Sequence, residues 1–109
     1  MGYFYLLIAI IGEVIGTTHL KSTNNFTELL PTIYVVLGFA TAFYFVMLAM
    51  KTIPIAIAYS IWAAIGISAI TILGALKYKE IPDLLAILGL SLIIIGVILF
   101  VFYSKMGTN

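Results

Sequence analysis

The sequence predicts an all-α integral membrane protein with four transmembrane helices. Of its 109 residues, 64% are hydrophobic and only 8% are charged, and the mean hydropathy is +1.27. Soluble domains carry roughly 25% charged residues, and a water-soluble fold of this size could not cover so much apolar surface. Four apolar segments, each close to the ~20 residues that a helix needs to cross a bilayer, make up most of the chain.

The four segments form one predicted membrane domain over residues 1–109, with spans at 3–20, 31–50, 54–76 and 84–103. Helices are predicted because a lone strand leaves backbone groups unpaired in lipid, and a barrel would need alternating rather than continuous apolar residues. The second and third spans start at Pro31 and Pro54, where the missing N–H of proline costs nothing.

The first span contains a carboxylate, Glu13, within the stretch IAIIGEVIGTTHLK. It lies about 15 Å along the helix, near the bilayer midplane, where an unpaired charge costs at least about 2.5–3.5 kcal/mol. Binding a proton lowers that cost. A neutral structural Glu13 bonded to Thr17 one turn later is one interpretation. A site for protons and cations is the interpretation that we favour.

Helical spacing defines the residues around Glu13. Ala9, Gly16 and Thr17 are small, which permits close helix approach and leaves space beside the carboxylate. Tyr3, near the helix start, is either a residue of the interfacial belt or also part of a pocket. The predicted face of Glu13 consists of Leu6, Ala9, Ile10, Gly16, Thr17 and Leu20.

The third span carries IPIAIAYSIWAAIGIS, in which Tyr59 and Trp62 are three residues apart and share a helix face. Trp62 is the only tryptophan and lies mid-span, away from the interfaces where tryptophan is usually found. Aromatic faces attract organic cations by about 2 kcal/mol or more when desolvated. Packing alone could explain Trp62, but with Glu13 the pair predicts a cage for a hydrophobic cation.

The fourth span has Gly89 and Gly96 on one face, which indicates a helix–helix contact at a dimer seam. Four helices cannot easily enclose a solute pathway, so we expect a homodimer of eight helices. The lysines show almost no bias between the two membrane sides: Lys51 and Lys105 lie on one, and Lys21, Lys77 and Lys79 on the other. Either an unseen factor fixes the orientation, or the chain inserts both ways and pairs with its inverted copy.

Composition also excludes several classes of function. The absence of cysteine rules out disulfides and thiolate metal sites. A net charge of +1 without a basic patch argues against nucleic-acid binding. Nothing in the sequence predicts an enzyme, a metal site or a cofactor.

The motifs together resemble the small multidrug resistance transporters. The resemblance rests on EVIGTT followed by Lys21, on IPIAIAYSIW from Ile53 and on the stretch from Gly89 to Gly96, and it covers essentially the whole chain. It implies a proton-coupled antiporter without a cofactor, driven by the proton gradient. It also implies an antiparallel, dual-topology homodimer in the inner or plasma membrane of a bacterium or archaeon.

The resemblance also assigns roles to residues. Glu13 would be the essential carboxylate shared by protons and substrate, and Gly89 and Gly96 would lie in the dimerisation stretch. Two departures stand out: Ala64-Ile65-Gly66 replaces a Gly-x-Gly kink, and Phe39 and Ala42 stand where some members have Tyr and Ser. The implied substrate-lining positions are Tyr3, Leu6, Ala9, Ile10, Gly16, Thr17, Phe43, Tyr59 and Trp62.

The predicted function is therefore the export of lipophilic or quaternary ammonium cations, with proton and cation competing for Glu13. Residues 15–18 read Ile-Gly-Thr-Thr, whereas the guanidinium exporters of the family have a pattern with Trp in this segment. The segment is therefore more similar to the quaternary-ammonium branch. The alternatives are a guanidinium exporter of the same family, one half of a heteromeric pair, a non-transporting accessory subunit and a passive pore.

Overall fold

The computed structural model describes residues 1–104, and Lys105 lies outside them. Four helices in this part of the chain are long and apolar enough to cross a membrane, which confirms the predicted four-helix membrane fold. A 3₁₀ turn at Lys21–Thr23 extends the first helix, and a π-helical segment at Leu99–Tyr103 extends the last. The four helices are α1 (Gly2–Leu20), α2 (Leu29–Ala49), α3 (Ile55–Tyr78) and α4 (Leu84–Ile98).

The helix starts differ from the expectation at one proline. Helix α2 begins at Leu29, so Pro31 lies inside its first turn, where backbone N–H groups have no partner within the helix and proline removes no bond. Pro54 directly precedes α3. Helix α4 has a side-chain cap, since Asp83 accepts a hydrogen bond from the backbone N–H of Ala86 at 2.9 Å.

The chain divides into two compact units, residues 1–52 and the part from Ile53 onward. In the first unit α1 packs along α2, and the connection between them reverses through left-handed backbone. Asn24, Asn25 and Phe26 have φ values of 48°, 60° and 65°. Asparagine tolerates this region, whereas it is rare for a bulky residue such as phenylalanine.

Glycines form the crossing of α1 and α2. A Cβ atom built on Gly38 would lie 2.6 Å from the carbonyl oxygen of Gly12, and one built on Gly12 would lie 2.8 Å from the carbonyl oxygen of Gly38. The two backbones are therefore in direct contact, which only residues without a side chain allow. The buried apolar side chains of the two helices are Leu6, Ala9, Ile10, Val35, Ala42, Val46 and Ala49.

In the second unit α3 is a continuous α-helix through Ala64-Ile65-Gly66. It ends at Tyr78 and is capped by Lys79, which has a φ of 58°, and the N–H of Glu80 donates to the carbonyl of Gly74 at 3.2 Å. Helix α4 has no buried residue, and most of its apolar side chains are exposed, although Leu90 and Val97 are half-buried.

Candidate functional site

Glu13 lies near the middle of α1 and is partly buried. Its Oε1 accepts a hydrogen bond from the hydroxyl of Thr17 at 2.9 Å, one helical turn further along. Its Oε2 is buried and has no hydrogen-bond partner within residues 1–104. The two carboxylate oxygens therefore have different surroundings.

This asymmetry bears on both interpretations of Glu13. The Glu13–Thr17 hydrogen bond that a structural role requires is present. It satisfies only one of the two carboxylate oxygens. A buried polar atom without a partner costs about 1–3 kcal/mol, and a proton or a cation at Oε2 would remove that cost. The geometry thus suits a group that exchanges ligands at one oxygen while the other is held.

The other predicted site residues of α1 differ in exposure. Tyr3 is exposed and Thr17 is partly buried, whereas Leu6, Ala9, Ile10 and Gly16 are buried.

The space beside Gly16 is occupied rather than open. A Cβ built on Gly16 would lie 3.0 Å from the ring of Phe39 on α2, so the small residue admits an aromatic ring of the same chain. The rings of Phe39 and Phe43 stack with centroids 6.3 Å apart and an interplanar angle of 26°. Phe43 is exposed. An aromatic pair therefore extends outward from the α1 residue one turn beyond Glu13.

On α3, Tyr59 and Trp62 lie together, as their spacing predicts. Their ring centroids are 6.0 Å apart and the planes meet at 89°. Tyr59 is exposed and Trp62 is partly buried. The two rings therefore make an edge-to-face contact, and aromatic rings of this kind attract cations.

Gly89 and Gly96 on α4 are open to close approach. A Cβ built on either residue would meet no atom within 4 Å, in contrast to the glycines of α1 and α2. Both positions could therefore accept another helix, which is what a dimer seam requires.

The sequence reasoning missed the glycine crossing, although a signal was present. Gly12 and Gly16 form a Gly-x-x-x-Gly pattern around Glu13, and Gly38 and Ala42 repeat the same spacing on α2. Small residues four apart often mark helix contacts in membranes. The pattern does not identify the partner helix, which here is α2 of the same chain.

Aromatic contacts between α1 and α2 were also missed. Tyr5 packs on Phe45 with ring centroids 5.9 Å apart, and the His19 ring lies 4.9 Å from that of Tyr34. The Nδ1 atom of His19 is 2.7 Å from the carbonyl oxygen of Ile15. In residues 1–104 no three His, Asp or Glu side chains are grouped to hold a metal ion.

Known proteins match this chain along nearly its whole length. The family described as Small Multidrug Resistance protein matches residues 1–93. Quaternary ammonium compound-resistance protein QacE of Escherichia coli is 40% identical over 108 residues, covering 99% of this chain and 98% of the relative. QacG of a Staphylococcus species is 42% identical over 91% of this chain and 92% of its own length.

A third relative, the multidrug transporter PA4990 of Pseudomonas aeruginosa, is 39% identical over 94% of both chains. Matches of this extent, together with four helices of membrane-spanning length, establish a multi-pass membrane protein and not an enzyme. The chain belongs to the small multidrug resistance family.

Proposed function

We propose that the chain is a proton-coupled antiporter that exports lipophilic quaternary ammonium cations, with proton and cation competing for Glu13. One observation carries the proposal: a carboxylate at mid-span whose Oε1 is held by Thr17 and whose buried Oε2 has no partner within residues 1–104. A single carboxylate carries one negative charge, which either a bound proton or a bound cation can compensate. Occupancy by one therefore excludes the other. That competition couples the two fluxes.

The proposed substrate class follows from the relatives and from the aromatic side chains. QacE and QacG are named for resistance to quaternary ammonium compounds, which combine a permanent positive charge with apolar groups. The right-angled Tyr59–Trp62 pair and the exposed Phe43 offer the aromatic surface that such cations favour. The other proposed lining residues are Tyr3, Leu6, Ala9, Ile10, Gly16 and Thr17.

The proposed working unit is an antiparallel homodimer that contains two copies of Glu13. The even distribution of lysines permits both orientations, and the open surface at Gly89 and Gly96 suits a helix contact between copies. Two inverted copies that exchange conformations would open the shared site to one side and then the other. Their two carboxylates would titrate as a coupled pair.

Transport in proteoliposomes under an imposed pH gradient tests the proposal. The experiment compares the wild type with Glu13→Gln and with Glu28→Gln, which removes an exposed acid of the loop instead. Uptake of tetrapropylammonium and of guanidinium is followed together with proton flux. We expect tetrapropylammonium uptake coupled to proton movement in the wild type and in Glu28→Gln, and loss of both in Glu13→Gln.

The alternatives give distinct results. Cation uptake that survives in Glu13→Gln contradicts the mechanism, and cation flux without proton movement indicates a pore. An inactive wild-type chain indicates a missing partner chain or an accessory role. Preference for guanidinium contradicts only the substrate class.

A further inference from the structure

His19 is the only histidine of the chain, and it has no part in the proposed exchange at Glu13. It is half-buried in the last turn of α1. Six residues separate it from Glu13, which corresponds to about 9 Å along the helix axis and about 120° around it. A second protonatable side chain therefore lies on another face of α1, closer than Glu13 to the aqueous phase at the 21–28 loop.

The contact between His19 and Ile15 determines which ring nitrogen carries the hydrogen. The Nδ1 atom of His19 is 2.7 Å from the carbonyl oxygen of Ile15. Because a carbonyl oxygen can only accept, Nδ1 is the donor in both the neutral and the charged imidazole. The neutral ring therefore has its lone pair on Nε2, and a further proton binds there. Protonation leaves the bond to Ile15 in place and makes it charge-assisted.

Tyr34 on α2 packs against the same imidazole ring. The two ring centroids are 4.9 Å apart and the planes are tilted by 45°. An aromatic ring attracts a cation that lies within about 6 Å of its centroid, whereas a neutral imidazole gains only the contact between two rings. Since this contact joins α1 to α2, a positive charge on His19 strengthens the hairpin at its loop end.

The other charged groups at this end of the hairpin oppose each other. Lys21 follows His19 by two residues, and Glu28 directly precedes α2. Both side chains are exposed, so solvent and salt weaken their effect on the imidazole. The last turn of a helix favours a positive charge. Tyr34 is the titratable side chain of α2 in ring contact with His19, and the charge of His19 therefore acts on α2 mainly through it.

We propose that His19 and Tyr34 form a pH-responsive contact at the loop end of the α1–α2 hairpin, which strengthens when His19 binds a proton at Nε2. Histidine ordinarily changes its charge between about pH 5 and 8, so the contact responds in the physiological range. In the proposed antiparallel dimer, on which this last step rests, the two copies of the contact face opposite aqueous phases. Each copy responds to the pH on its own side, and a proton gradient therefore holds the two hairpins with different strength.

A double-mutant cycle at two pH values tests the contact. His19→Leu, Tyr34→Leu and the double variant are unfolded by dodecyl sulfate in mixed micelles at about pH 5 and about pH 8. We expect the coupling between the two positions to raise the folding equilibrium constant about two- to fivefold more at the lower pH. The cycle cancels the titration of Glu13, because all four proteins contain it.

The ring contact at the other end of the hairpin is the matched control. Tyr5 and Phe45 have ring centroids 5.9 Å apart and contain no imidazole, so the coupling between Tyr5→Leu and Phe45→Leu should be the same at both pH values. Coupling between positions 19 and 34 that is equal at the two pH values, or larger at the higher one, overturns the proposal.

Magnetic resonance on the wild type decides the question if a variant does not fold. Because His19 is the only histidine, ¹⁵N-labelled histidine reports this residue alone in a chain purified without a histidine tag. At about pH 8 we expect the ring hydrogen on Nδ1. The ring signal of Tyr34, assigned by its loss in Tyr34→Phe, should move as the imidazole titrates. A hydrogen on Nε2, or a Tyr34 signal that does not follow His19, contradicts the proposal.

Sealed vesicles test the response to one side separately. When only the exterior is acidified, about half of the ¹⁵N signal should shift, because an antiparallel dimer has one copy in each orientation. A shift of the whole signal, or of none, contradicts the side-specific response and the proposed dimer. The double-mutant cycle, which needs neither transport nor a membrane orientation, decides on the contact itself.

Discussion

Thr17 holds one oxygen of Glu13 from the next turn of the same helix. The bond links two residues four positions apart on one helix, so its geometry needs no other helix. It engages Oε1 and leaves the buried Oε2 without a hydrogen-bond partner within residues 1–104. In the proposed mechanism, Thr17 would orient the carboxylate that binds the proton or the cation.

Replacing Thr17 by valine tests this role. Thr17→Val keeps the shape of the side chain and removes the donor, at a net cost of about 0.5–1.5 kcal/mol. We expect tetrapropylammonium affinity to fall by up to about tenfold, and Thr17→Ser to restore it, as measured by isothermal titration calorimetry in detergent. Thr71→Val on α3 is the control, because the Thr71 hydroxyl donates to the backbone oxygen of Ile67 at 2.7 Å. An equal loss there would contradict a specific role for Thr17.

Local residue relationships could be predicted from the sequence, and contacts between helices could not. The Glu13–Thr17 bond and the Tyr59–Trp62 pair follow from spacings of four and three residues on one helix. The ring of Phe39 over Gly16 depends on the register of α2 against α1. Helical periodicity shows which face of the helix carries small residues, but it does not show which side chain of another helix packs against that face.

At the scale of elements, the α1–α2 hairpin is held by backbone contact at Gly12, Gly16 and Gly38. Apolar side chains gain little by leaving lipid for another helix, so close packing contributes much of the association in membranes. The aromatic contact between Tyr5 and Phe45 lies toward the other end of the hairpin from that between His19 and Tyr34. These contacts fix how α1, and with it Glu13, is placed against α2.

Gly38→Ala should destabilise the hairpin. The added Cβ would lie 2.6–2.9 Å from three backbone atoms of Gly12 and Gly16, and backbone cannot move aside without separating the helices. We expect the free energy of unfolding to fall by about 1–3 kcal/mol, measured by denaturant titration in micelles. Gly74→Ala, whose Cβ would meet only the Glu80 carboxylate at 3.4 Å, should change it much less. A smaller effect at Gly38 than at Gly74 would contradict the crossing.

Helix boundaries show why element prediction succeeds only in part. Hydropathy located all four helices, because the spans are long and apolar. It placed the start of α2 at Pro31 rather than Leu29, since proline is accepted throughout the first turn. The left-handed run through Phe26 and the π-helical segment at Leu99–Tyr103 depend on local chain reversal and packing, which hydropathy does not report.

For the whole molecule, charge distribution is the basis for the proposed dual topology. The lysines that flank the spans are nearly balanced between the two sides, and orientation responds to such lysines when loops are short. A small change in charge should therefore redirect insertion. It should also reduce activity, because an antiparallel dimer needs both orientations.

The double substitution Lys77→Gln, Lys79→Asn should bias the chain toward cytoplasmic termini. Asparagine is chosen at position 79 because the φ of Lys79 is 58°, which asparagine tolerates. Terminal fusions to a fluorescent protein and to alkaline phosphatase report termini in the cytoplasm and on the opposite side of the membrane, respectively. We expect both reporters to be active for the wild type, and mainly the fluorescent reporter to be active for the variant. Lys51→Gln should shift the balance the other way. A wild type with a single orientation would contradict dual topology.

The contacts at the glycine crossing all lie within the first compact unit, residues 1–52. The first hairpin can therefore close as soon as α2 has entered the membrane, while α3 is still being synthesised. The lysines of this hairpin are Lys21 on one side and Lys51 on the other. The hairpin that closes in the bilayer is therefore nearly balanced in charge between its two sides, and the lysines that follow it, Lys77 and Lys79, should have a large influence on which way it faces.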